Sequence, residues 1–118
     1  MSISRLSVAG DPALALVVRI FVGSVTEQWA LAGPVRDDLR LAASELFAGA
    51  VEAGRGDLVT FELSTDDGGL ELRAEDVPVG QEGAGLEGWT GRFALIRALF
   101  PDADVSDTTV RIRVPLTN

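Results

Sequence analysis

The 118-residue chain contains no cysteine and no histidine. Those two absences exclude thiolate and imidazole metal sites, Ser-His-Asp and Cys-His triads, and the phosphorelay histidine of a two-component protein. Lysine is missing too, so all basic residues are arginine, and any chemistry would have to run on carboxylates, guanidinium groups or hydroxyls. Basic residues are also few, ten against 18 acidic ones, for a net charge of −8. Nucleic-acid binders need a cationic footprint, so this balance argues against nucleic acid and suits a protein partner with basic patches. A long hydrophobic run is absent as well. The most apolar stretch, Ala13 to Val25, is broken by Arg19 and reads as amphipathic, and no basic segment followed by an apolar run opens the chain. A soluble, cytoplasmic protein with no membrane partner is the expectation, and the lack of cysteine is compatible with a reducing compartment. With no internal repeat, low-complexity tract or linker, residues 1–118 read as a single domain, long enough to build a core without disulfides or metal.

What the chain does have is one well-marked central helix, Pro34 to Gly54. Val35, Leu39, Ala42, Ala43, Leu46, Ala50 and Ala53 recur at helical spacing and define an apolar stripe, with Asp37, Arg40 and Ser44 off it. Pro34 suits a first helical position, Asp37 and Asp38 complement the positive end of the helix, and Gly54 can leave it in a left-handed conformation. A rotation of about 100° per residue puts Glu45 at the edge of the stripe, beside Ala48, Gly49 and Glu52, where a pocket would open.

Around this helix, Ser2 to Val8 reads as an edge strand ended by Gly10. Asp11 caps a helix with Pro12 at its first position and Leu14, Val18, Phe21, Val22, Val25 and Trp29 as its buried stripe. Leu58 to Ser64 alternates with Val59, Phe61 and Leu63 inward. Thr65 to Gly69 supplies turn residues, and Leu70, Leu72 and Ala74 resume the alternation, which makes a hairpin. Continuing the period puts Asp76 inward, where a carboxylate needs a partner. Val77 to Glu87, with Gly80, Gly83 and Gly85, reads as a mobile loop. Gly88 to Phe100 recovers a helical pattern closed by Pro101, and Asp107 to Leu116 alternates as a last strand beside the hairpin. Two helices followed by strands predict an α+β fold, a two-layer sandwich.

The stretch SELFAGAVEAG within the central helix resembles the motif E-L-x-x-N-A-x-x-H-A of the GHKL, or histidine-kinase-like, ATPase superfamily, closest in pattern to the anti-sigma factors with serine-protein kinase activity. Glu45 and Ala50 match, whereas Gly49 stands at the Asn and Ala53 at the His. The resemblance implies helices on one face of a mixed, mainly antiparallel sheet. It makes Glu45 a vestigial general base and leaves no metal ligand at position 49. The family's D-x-G-x-G adenine box is matched by Asp76 and Gly80, with Pro78 in place of its first glycine, which fixes φ and removes an N–H. The family's G-x-G-L run, where main-chain amides approach the phosphates, falls at Thr90, Gly91 and Arg92. A one-residue shift would use Gly88 or Gly91 without restoring G-x-G.

The resemblance therefore implies a degenerate anti-sigma-factor-like domain, a protein-binding regulator of transcription or signalling with ATP binding weak or lost. Its expected partner is a sigma factor or an antagonist protein. The alternative is a working serine/threonine-protein kinase of the anti-sigma type that binds ATP and Mg²⁺, with Glu45 assisting transfer and Asp76, Gly80, Gly91 and Arg92 holding the nucleotide. Without the resemblance, Glu45 reads as a solvated carboxylate, Asp76 as turn chemistry and the glycines as a flexible loop. Pairing of the first strand's edge with a second copy, giving a homodimer, stays open.

Overall fold

The computed structural model describes residues 2–29, 31–53, 58–77, 93–106 and 108–116. In chain order the elements are β1 (Ser2–Ala9), a 3₁₀ turn at Pro12–Leu14, α1 (Ala15–Thr26), α2 (Gly33–Glu52), β2 (Leu58–Asp66), β3 (Gly69–Glu75), α3 (Phe93–Leu99), β4 (Asp104–Ser106) and β5 (Thr109–Val114). The strands form one open sheet in the order β1-β2-β3-β5-β4. This is an α+β fold. Among the described residues every strand pairing is antiparallel, without the parallel pair that a mixed sheet would contain.

Register follows from period-two burial. Leu63 pairs with Leu72 and Leu72 with Ile112, while Phe61 pairs with Ala74 and Ala74 with Val110. These residues are all buried and share one core with Val18, Val22, Leu39, Leu46, Phe47 and Ile96 of the helices. A one-residue slip would turn each strand's apolar set toward solvent, so the core fixes the register. The alternate residues carry the charges: Arg5 pairs with Glu62 at 2.6 Å, Arg73 with Glu75 at 2.7 Å and Arg113 with Asp66 at 2.6 Å. Exposed pairs of this kind are screened and add little to stability.

The expected β1 edge strand is present, and β5 lies beside the hairpin. At the start of α1 the cap forms as expected, with the Ala13 N–H donating to Asp11 Oδ1 at 2.9 Å, but Pro12 opens a 3₁₀ turn before the α-helix begins at Ala15. In α2, Leu39, Ala42, Ala43, Leu46 and Ala50 are buried as expected. Val35 is only half-buried and Ala53, past the helix end, is exposed, while Phe47 and Gly49 join the core. The α1 stripe is where the pattern puts it: Val18 and Val22 are fully buried and Leu14, Phe21, Val25 and Trp29 pack partly buried against the core, while Leu16, Val17 and Ile20, outside the stripe, are exposed. Strand β4, at the second sheet edge, has no counterpart in the sequence reading. Gly54, most of the loop from Val77 to Glu87, and Gly88 to Arg92 lie outside the described residues.

Candidate functional site

The face of α2 that carries Glu45 and Gly49 is built from two successive turns of one helix. Glu45 is half-buried at the edge of the stripe, as its rotation predicts, and Gly49 is buried one turn further on. What occupies the space over Gly49 is the ring of Phe93, the first residue of α3, which is 7% exposed. A Cβ built on Gly49 would fall onto Cζ of Phe93 and stand 2.5 Å from Cε1. The glycine therefore has a steric reason: a helix-interior Gly costs about 1 kcal/mol relative to Ala, and here the missing methyl admits an aromatic ring onto the helix backbone. The sequence reading put Gly49 where a pocket would open; the Phe93 ring fills that place instead. The pattern from Gly88 to Phe100 marks a helix but not what Phe93 packs against. The sign of its destination was the unpropitious glycine in a helix otherwise rich in alanine.

A hollow borders Ala48 and Glu52, but it is not the pocket expected at the Glu45 edge, since neither Glu45 nor Gly49 lines it. It has a volume of about 320 Å³ and is lined by Pro12, Ala15, Ser44, Phe47, Ala48, Val51 and Glu52. Its walls are mostly apolar, and neither Glu45 nor Asp76 lines it.

Asp76 ends β3 in a left-handed conformation, φ 66°. That residue breaks the alternation. Asp76 turns to solvent, and Val77 takes the inward place, fully buried, with its N–H donating to the Thr108 carbonyl at 2.9 Å. The expectation of an inward carboxylate is corrected accordingly: one left-handed residue interrupts the extended backbone, so that Val77 and not Asp76 points into the core. Aspartate is among the few non-glycine residues that tolerate this conformation, through its short polar side chain. Gly80, Gly91 and Arg92, the remaining nucleotide-contact candidates, lie outside the described residues, as does Pro78. Among the described residues no three Asp or Glu side chains converge as a metal site.

No family model and no curated protein matches the chain. An α+β fold by itself assigns no activity. Among the described residues no helix is long and apolar enough to cross a membrane.

Proposed function

We propose that the chain is a non-catalytic, cytoplasmic protein-binding regulator built on a degenerate GHKL-type domain of the anti-sigma-factor kind, with nucleotide binding weak or lost. The observation that carries this reading is the Phe93 ring seated on Gly49. In the family an Asn at this helix position supplies an oxygen to Mg²⁺ bridging the ATP phosphates. Magnesium demands hard oxygen ligands in near-octahedral geometry, and a glycine covered by a phenyl ring offers none. Phosphoryl transfer depends on positioning and on neutralising developing charge, so loss of the metal ligand removes a main component of the chemistry. The outward turn of Asp76 also takes from the adenine end the buried acceptor that the family pattern requires.

A regulator of this kind acts through its surface, and its expected partner is a sigma factor or an antagonist protein. Calorimetric titration with Mg²⁺-ATP tests the nucleotide half of the reading, the expected outcome being no saturable heat at micromolar concentrations. A Mg²⁺-dependent micromolar dissociation constant, about 8 kcal/mol of binding free energy, would overturn it and revive the kinase alternative. Affinity capture from the native cell extract tests the partner half. Recovery of metabolic enzymes without any transcriptional regulator would count against it.

A further inference from the structure

The outward sides of α1 and α2 enclose a hollow of about 800 Å³ on which Leu16, Arg19 and Ile20 face Arg36, Arg40 and Leu41. Helix α1, ALVVRIFVGSVT, carries a single charge and is apolar on both sides. A helix that is hydrophobic all round is ordinarily covered all round. Here Val18 and Val22 are fully buried, whereas Leu16 is 57% and Ile20 56% exposed, and Leu41 across the groove is 41% exposed. Positions 16, 20, 23 and 27 follow one another along one stripe of α1, so the exposed apolar residues are continuous with the groove floor.

The floor itself is shaped. Gly23 lies under the aliphatic stem of Arg40, where a Cβ would stand 3.1 Å from Cδ. Asp37 Oδ1 accepts from Arg40 Nη2 at 3.2 Å and holds the guanidinium in the groove. Among the described residues Arg19 and Arg36 have no carboxylate partner. Three arginines against two carboxylates, Asp37 and Glu27, make the groove locally cationic on a chain whose net charge is −8.

Resting on the reading of the chain as a protein-binding regulator, we propose that the α1/α2 groove docks an amphipathic helix of a partner protein whose apolar face is flanked by Asp or Glu. Leu16, Ile20 and Leu41 supply apolar anchors of the helix-in-groove kind, and the arginine fork suits carboxylates. A second copy fits less well, because a two-fold contact sets this surface against itself and brings arginines toward arginines. An anionic membrane surface repels a chain of this net charge.

Two synthetic helical peptides test the proposal on the full-length protein, each with leucines at i, i+3, i+4 and i+7, one with glutamates at the flanking positions and one with lysines. Amide chemical-shift mapping should show the Glu peptide bound at Leu16, Ile20, Arg40 and Leu41 and the Lys peptide weaker. Ile20→Asp should weaken the Glu peptide by about tenfold, the size of one interface anchor. The double reversal Arg36→Glu, Arg40→Glu should invert the preference between peptides. Equal binding of the two peptides, shifts that map elsewhere, or no binding at millimolar peptide would overturn the proposal. So would a dimer in sedimentation that Ile20→Asp dissociates, or binding to phosphatidylglycerol vesicles through this face. Leu41→Glu serves as the anchor variant should Ile20→Asp fail to unfold cooperatively. Nucleotide binding with the peptide results intact would sink the regulator reading and leave the groove standing. A partner from native extract that Ile20→Asp still retains would do the reverse.

Discussion

At Gly49 a single hydrogen separates two kinds of site. Had the position been empty, Gly49→Ala would stabilise the chain by about 0.4 to 1 kcal/mol through the unfolded state. With the Phe93 ring on the helix backbone, the added methyl must displace a buried, rigid side chain, and overpacking of this kind costs about 1 to 3 kcal/mol. Gly49→Ala should therefore lower the urea midpoint with the slope unchanged. The contact can be isolated: in a Phe93→Ala background the same substitution should become neutral or stabilising, a coupling that a double-mutant cycle reads directly. Additive effects of the two substitutions would mean that the ring does not sit on the glycine.

Among the elements, the β2–β3 hairpin has the most explicit local chemistry. Asp66 Oδ1 accepts from the Gly68 N–H at 2.7 Å, the Gly69 N–H at 3.1 Å and Arg113 Nη2 at 2.6 Å. The Arg113 hydrogen bond first, and then the Gly68 N–H, hold the Asp66 carboxyl below its ordinary range. A group whose pKa is lowered in the folded state contributes stability that is complete above its unfolded pKa and is lost as pH falls through the folded one. Asp66→Asn keeps an oxygen for the turn but not the charge, so its stability should fall less steeply than wild type on the acid side of the carboxylate range. Urea midpoints against pH read this, and parallel curves would remove Asp66 from the account. The hairpin was legible in the residue order because turn chemistry and period-two burial agree there. β4 was not, since Asp104-Val105-Ser106 has one apolar residue and no period to detect. Asp76 failed for a different reason: alternation is a statement about extended backbone, and one left-handed residue ends its authority. The Phe93–Gly49 contact and the outward leucine and isoleucine of α1 are tertiary facts. Each helix stripe could be read separately, but not what would cover it.

Over the whole molecule, the missing residue types become a testable property. With no histidine, cysteine, lysine or tyrosine, no side-chain type present titrates between the carboxylate range and the guanidinium range. Stability depends on pH only where folding changes proton binding. The melting temperature should accordingly stay level from about pH 6 to about pH 11, apart from any contribution of the chain's α-amino group. A sigmoidal change inside that window in a variant-free sample would show that a strongly displaced carboxylate is present.

The seat of Phe93 on Gly49 has a kinetic side as well. Residues 49 and 93 belong to α2 and α3, far apart in the chain, and the ring can enter its place only after the helix turn that leaves the gap has formed. Contacts that close long loops carry their entropy cost before they return any stabilisation. This contact should then be absent from the folding transition state. Gly49→Ala would leave the refolding limb of a stopped-flow chevron nearly untouched and steepen the loss on the unfolding side, raising the unfolding rate by about tenfold for each 1.4 kcal/mol of destabilisation. Phe93 would thus act as a latch on the native state, governing how long the fold persists more than how fast it is reached.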